Sequence, residues 1–325
     1  MDHIVIGVCT FNRKSCLKIL LLSIAELSIP ENIIMSVLIV NNNLSDTEEL
    51  SDLIGSLAMP FSLKLVHEPV IGLASARNRV LSEALMSGAN ALAFTDDDCI
   101  VPQHWFITLY RAYIKYGRHM VTGPRYYVLP FPPHKLSLLL MKESKILSAV
   151  DKQNGSHVTV AATNNVLFNL APVQQHNLWF DMDFNLSGGE DTMFFISLYE
   201  KTKTAGVFVK DAYVYETLHE NRINIRWILT HYLSQGFLLA QFSRKAPQLM
   251  PLQSFTLKKV SIKFGLRILK WWLRAITELG GLCIDVAGFM IMYGAFFLGR
   301  LLNRKCNIYS KNYLKGRVNQ SEQVK

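Results

Sequence analysis

The stretch AFTDDDCIVP, residues 93–102, sets three consecutive aspartates directly behind an apolar run. Repulsion among three carboxylates is unfavourable unless something positive lies between them. Side chains at i and i+2 of a strand point the same way, so Asp96 and Asp98 are expected to converge on one side while Asp97 faces elsewhere. Two converging hard oxygen donors suit Mg2+ or Mn2+, with water and phosphate oxygens completing the shell. An EF-hand loop is excluded, because Ile100 and Val101 stand where its third acid and its glycine belong. The alternative is a solvated acidic turn that caps the next helix.

Read outward from the triplet, the chain alternates. IVIGVC (4–9) reads as a buried strand, 15–29 as a helix, and MSVLIV (35–40) as a second strand. Polar NNNLSD follows, then a short helix from about Thr47 and a third strand, FSLKLV (61–66). GLASARNRVLSEALMSG (72–88) has the period of a helix closed by Gly88, and LAF (92–94) is a fourth strand that feeds the aspartates. Strands separated by helices predict an α/β fold with a mostly parallel sheet covered on both faces. In such sheets ligands bind at the carboxyl ends of the strands. The polar clusters TFNR, NNN and TDDD each fall just after a strand, so one crevice is expected to collect them.

The second half is less regular. A proline cluster (Pro130, Pro132, Pro133) precedes a helix expected around 135–149, and regular structure resumes at VTVAATNNVLF (158–168). FDMDFNLSGGEDTMFFISLYEKT (180–202) reads as a loop running into a helix. Strands are expected near 207–215, then a long helix over about 225–243 and a linker, KAPQLMPLQ (245–253).

Composition narrows the function. Half of the 325 residues are hydrophobic and 18% are charged, apolar for a soluble enzyme but too polar for a multi-span transporter. The net charge of +9 implies an anionic partner: nucleic acid, anionic lipid or a phosphorylated substrate. The five cysteines are scattered without a CxxC pair, which reads as reduced thiols in a cytosolic protein, not a disulfide framework or zinc site. MDHIVIGVCTF reads as a strand and not as a signal peptide.

GGED (188–191) offers a second chemical group. Gly188 and Gly189 allow close backbone approach, and Asp191 opens a helix, where the dipole favours a negative charge. A plain helix cap is the alternative, since Asp is common there.

VCTFNR, VLIVNNNLSD, GLASARN, AFTDDD, TNNVLF and SGGEDTMFFISLYEKT follow one another in an order that resembles family 2 nucleotide-sugar glycosyltransferases of the GT-A fold. The likeness runs from about residue 3 to 222 and is strongest to bacterial members that build exopolysaccharide or O-antigen. It implies an inverting transfer from a nucleotide-sugar donor, UDP-linked by default, to a glycan or lipid-linked acceptor, and no nucleic acid partner. By resemblance Thr10 and Phe11 lie against the nucleotide, Phe11 stacking on the base, with Asn41 and Asn42 at the base edge. Arg77 reaches the nucleotide or its diphosphate, Asp96 the ribose and metal, and Asp98 the metal bridging the phosphates. Asp191 is the general base; Glu190, Asn164, Asn165 and Trp179 lie near the sugars. His219, in YETLHENR, is a third candidate metal ligand, with surface packing as its alternative. Trp105 is a further candidate for stacking on a sugar, or else a core aromatic. One departure concerns the base: relatives usually carry an aspartate where this chain has only asparagines between Val40 and Leu44, which opens the choice of nucleotide.

The composition changes near the end. Lys259, Lys263, Arg267, Lys270 and Arg274 form a basic stripe at helical spacing, and Trp271 and Trp272 fall on other faces, as in a membrane-surface helix. The apolar segment 279–299 has the length of a span, but both flanks are basic. A shallow or re-entrant hairpin on the cytoplasmic leaflet is therefore expected over a single span. The organisation expected is a catalytic domain over 1–222, a helix and linker over 223–255, and a membrane-associated region over 256–325. Two other functions stay open: a nucleotidyltransferase, which usually has a glycine-rich loop where this chain has TFNRKS, and a non-catalytic membrane scaffold, which would not need the aspartates.

Overall fold

The computed structural model describes residues 1–117, 119–129, 152–218, 222 and 225–246, with helical positions at 290, 291, 294, 295 and 298. The helix expected around 135–149, His219 and the segment 256–289 lie outside the described residues. In chain order the elements begin β1 (Asp2–Thr10), α1 (Lys14–Ala25), β2 (Ile33–Asn41), α2 (Thr47–Ser56), β3 (Ser62–His67), α3 (Leu73–Met86) and β4 (Ala91–Asp96). They continue with β5 (Cys99–Ile100), α4 (Trp105–Lys115), β6 (Met120–Thr122), β7 (Arg125–Val128), β8 (His157–Val158), β9 (Asn165–Asn169) and α5 (Leu170–Gln175). Last come α6 (Glu190–Thr202), β10 (Gly206–Phe208), β11 (Val214–Thr217) and α7 (Ile225–Lys245). Two compact units contain them: one holds the described residues up to Val128 with 152–217, the other holds α7.

The first unit is built on an eight-stranded sheet of order β3-β2-β1-β4-β9-β6-β10-β8. β3, β2, β1 and β4 are parallel, as the alternation of strands and helices predicts. β1 is a near-continuous apolar run because helices cover both faces. Ile4, Ile6 and Val8 pack with Leu17, Leu20 and Ile24 of α1 and with Trp105, Phe106 and Leu109 of α4. Val5 points the other way, into a layer with Val80, Leu81 and Ala84 of α3 and Phe194, Phe195 and Leu198 of α6. Gly7 lies on that second face, where an added Cβ would come within 2.4 Å of Val80 Cγ1. The absence of a side chain there lets α3 lie close against the sheet.

Two features were not expected. β9 enters antiparallel between β4 and β6, so the sheet is parallel on one side and mixed on the other. A second, three-stranded sheet, β5-β11-β7, forms beside the first. The chain passes from β6 to β7 through Gly123, whose added Cβ would lie 1.7 Å from the carbonyl oxygen of Ala212. Only a glycine fits that crossing.

The new sheet changes the reading of the aspartates. β4 stops at Asp96, residues 97 and 98 form a turn, and Cys99 belongs to the other sheet. The two-residue period therefore does not extend from Asp96 to Asp98, and their relation comes from a turn between sheets.

In the second unit, Leu233 and Phe237 of α7 pack with Ala295, and the rings of Trp227 and His231 stack at 5.0 Å. No helix among the described residues is long and apolar enough to cross a membrane.

Candidate active site

The parallel register places Thr10 opposite Asn41 and Cys9 opposite Asp96, so three polar strand ends open on one crevice, as expected. The aspartates in it have different surroundings. Asp97 is buried, with one oxygen accepting from the Thr10 hydroxyl at 2.8 Å and the other from Arg13 Nη1 at 2.9 Å. The same Arg13 nitrogen donates to Asp98 Oδ2 at 2.7 Å. Asp96 is the open member, its side chain 37% exposed, with Arg77 Nη2 at 3.5 Å. Desolvation raises its carboxyl above the usual pKa; Arg77 opposes this, and Asp98 and Asp97 add to the rise.

Arg77 also pairs with Glu190 at the first position of α6. Both side chains are buried, and Glu190 Oε2 has no hydrogen-bond partner among the described residues. An unsatisfied buried carboxylate oxygen marks a place where a donor from water or ligand belongs. Asp191 follows in the first turn, where it accepts from Thr192 N at 2.6 Å. Gly188 and Gly189 precede it at φ 77° and 87°, left-handed conformations that suit glycine and let the chain turn abruptly into the helix.

The loop leading to Asp191 is fastened to α3. Asn185 accepts from Ser75 N at 2.9 Å and donates to Ile71 O at 3.1 Å, and its carbonyl accepts from Leu73 N. Its side chain fills the space where Gly72, at φ 146°, would carry a Cβ. Asn78 makes a second clasp, its amide nitrogen donating to Phe180 O and its amide oxygen accepting from Phe180 N.

Behind Asp98, β11 brings in Glu216. Asp98, Cys99 and Glu216 each place one potential ligand atom within 4.8 Å of the others. Glu216, however, is engaged by Arg125 Nη1 at 2.8 Å. Burial works against the charge of Arg125, but Glu216, with Tyr127 and Cys99, together more than offset it, so the pKa of Arg125 lies above its ordinary value. Burial first, and then Asp98, push the Cys99 thiol well up, leaving a protonated soft donor that suits Mg2+ or Mn2+ poorly. The hard donors are the carboxylates of Asp96 and Asp98. Among the described residues and their ion pairs, five carboxylates (Asp96, Asp97, Asp98, Glu190, Glu216) meet three guanidiniums (Arg13, Arg77, Arg125), leaving two formal negative charges in that set. That balance and those donors fit a divalent cation.

The other expected residues hold loops. Asn41 donates to Asn43 O and to Asp46 Oδ1 and accepts from Asn43 N. Asn42 donates to Glu68 O and Val70 O and accepts from Gly72 N. Phe11 is buried, as is Asn164. Asn165 accepts from the Trp105 indole at 2.8 Å and donates to Pro124 O and Ala212 O, so its amide joins α4 to the crossing between the two sheets. Trp105 is fully buried, in the core, whereas Trp179 is 43% exposed with its indole donating to Asn177. Arg13 and Glu216 were missed by sequence reasoning. TFNR was placed in the crevice, and a triplet of acids needs a cation; alternation in VYET turns Glu216 inward with Val214.

An α/β unit whose crevice gathers paired carboxylates, buried arginines and an acidic helix start is GT-A-like in fold. Two solved structures are among those that share it. They are the mannosyltransferase PcManGT from Pyrobaculum calidifontis in complex with GDP-Man and Mn2+ (TM-score 0.61, 14% identity, 93% of this chain and 87% of that one) and S. aureus TarS 1–349 in complex with UDP-GlcNAc (0.52, 15%, 97% and 92%). The profile of glycosyl transferase family 2 matches residues 5–167, and the chain belongs to that family. It is also similar to the succinoglycan biosynthesis protein ExoM of Rhizobium meliloti (strain 1021), 29% identical over 237 residues that cover 72% of this chain and 73% of that protein.

Proposed function

We propose that this glycosyltransferase moves a sugar, with inversion, from a nucleoside-diphosphate donor to a hydroxyl of a glycan or lipid-linked acceptor in exopolysaccharide synthesis. The observation that carries this reading is the position of Arg77, which touches Asp96 at the end of β4 and Glu190 beside Asp191. One buried cation thus joins the carboxylates suited to the donor with the helix start suited to a base. The names of the relatives support the substrate class: one is bound to UDP-GlcNAc, another to GDP-Man and Mn2+, and ExoM belongs to succinoglycan biosynthesis.

Asp96 and Asp98 would hold Mg2+ or Mn2+, which supplies electrostatic neutralisation of the departing diphosphate. Asp191 removes the proton of the acceptor hydroxyl as its oxygen attacks the anomeric carbon, and the bond from that carbon to the diphosphate oxygen breaks on the opposite face. Glu190 Oε2 accepts a hydrogen bond from a sugar hydroxyl, and Trp179, exposed nearby in sequence to the 180–187 loop, offers a face for stacking. UDP is the default nucleotide. The basic stripe and apolar segment in the sequence after residue 255 support a site of action at the cytoplasmic leaflet, where a lipid-linked acceptor would be presented.

The test is Asp191→Asn, which preserves shape and removes basicity. Donor affinity should persist while transfer falls by about two to four powers of ten. Turnover at the wild-type rate would remove Asp191 from the base role.

A further inference from the structure

We propose that Arg13 is a positioning residue of the donor site, fixing the Asp98 carboxylate that receives the divalent cation and setting the charge of the crevice. The inference rests on the donor reading above.

Arg13 ends the turn after β1 and is 7% exposed, so its charge is held inside the protein and not offered to solvent. A buried guanidinium is costly unless its partners compensate it. Here a single nitrogen, Nη1, donates to Asp97 at 2.9 Å and to Asp98 at 2.7 Å. Asp97 is clamped from its other oxygen by Thr10, itself the last residue of β1. The order of support therefore runs from the sheet to Thr10, to Asp97, to Arg13, and lastly to Asp98. Asp98 lies in the turn after β4, where its backbone carbonyl accepts from Thr217 N of β11 at 3.2 Å; Arg13 acts on the other end of the residue, holding the carboxylate through Oδ2.

The charge argument is independent of the orientation. Without Arg13 the turn would carry two carboxylates, Asp97 and Asp98, uncompensated by its charge, next to the open Asp96 position. A site that negative would hold a bare cation well and repel the diphosphate that must accompany it. With Arg13 present, Asp97 is neutralised as a competitor and the crevice keeps the two formal negative charges counted above. A carboxylate partner that orients a metal ligand without touching the metal typically changes affinity by about 10- to 100-fold when removed.

Arg13→Met alone would strand two buried carboxylates and risks loss of the fold. Two other variants avoid this. Arg13→Met with Asp97→Asn removes one charge of each sign, so the net charge is unchanged and only the positioning is lost. Arg13→Lys keeps the charge and offers one nitrogen in place of Nη1, which donates to both aspartates. The full chain of each is titrated with Mn2+ in the presence of UDP and, separately, GDP, following free Mn2+ by its paramagnetic resonance signal and folding by thermal melting. The expected result is a folded double variant with Mn2+–nucleotide affinity lowered at least about tenfold, and a lysine variant within about threefold of wild type. A folded double variant with wild-type affinity, or a folded lysine variant that binds at least tenfold more weakly than wild type, overturns the role of Arg13. If wild type itself takes up no Mn2+ with either nucleotide, the donor reading fails, and this inference with it.

Discussion

Arg77 and Glu190 form a buried ion pair between the fifth residue of α3 and the first residue of α6. Breaking such a pair from one side leaves an uncompensated charge, at a cost of about 3–5 kcal/mol. Glu190→Gln and Arg77→Met should each lower stability by that order, read from urea denaturation. The double replacement Arg77→Met with Glu190→Met should recover most of it, because two well-packed apolar groups replace a buried pair at little cost. Transfer should not recover, since Asp96 loses its guanidinium neighbour as well. Recovery of turnover in the double variant would make the pair a packing device alone.

Asn165 provides a different contrast. Its amide satisfies the indole of Trp105 and two backbone carbonyls. Asn165→Ala should strand all three and destabilise by on the order of 3 kcal/mol, with donor binding to the remaining folded protein intact. A variant of normal stability that has lost donor binding would assign Asn165 to the sugar instead.

Cys16 sits beside the Arg13–Asp97 pair. Burial, followed by Asp97, raises its thiol to about 11, with Arg13 acting in the opposite direction. The thiolate is the reactive species, so alkylation of Cys16 should be slow at pH 8 and should accelerate with pH until about 11. The sign for stability follows: the folded state holds the proton above the ordinary 9.0 at which the unfolded thiol loses it, so stability falls as pH rises from 9.0 towards about 11. Mass spectrometry of iodoacetamide-treated protein across that range checks the profile. A labelling midpoint near the ordinary value would show Cys16 to be solvated.

The proposed membrane anchor comprises residues after 255. Each basic side chain near an anionic leaflet contributes roughly 1 kcal/mol, which salt weakens, whereas insertion of Trp271, Trp272 and 279–299 adds an apolar term that salt leaves. The full chain should stay with membranes in high salt and leave in detergent. A chain ending near Gln253 should be soluble and should still bind donor nucleotide. Pelleting of the short chain, or salt release of the full one, would contradict this anchor.

The parallel half of the fold was legible because IVIGVC and MSVLIV are long enough to state their burial on both faces, and because Gly72 and Gly88 bracket a helical period. The second sheet was not. β5 has two residues and β7 and β11 have four each, enough in VYET to turn Glu216 inward but too few to reveal which strand pairs with which, and their pairing is decided by the crossing at Gly123. The position of the acids was legible, since strand ends collect ligands; their division of labour was not. Whether an aspartate faces solvent or an arginine depends on Arg13, far from it in sequence, and a lone arginine in a polar loop has no pattern. Asn41 and Asn42 show the same limit, since an amide able to face a base is equally able to hold a loop.

The two asparagine clasps make α3 and the approach to Asp191 a single inherited part. Any attempt to transplant acceptor preference by exchanging 180–191 with a relative would separate Asn185 from the Gly72–Ser75 backbone and Phe180 from Asn78. The cavity over Gly72 would then face a foreign side chain, and the base would arrive on a loop with no seat. A workable chimera has its breakpoints placed so that residues 70–78 and 180–191 come from the same parent.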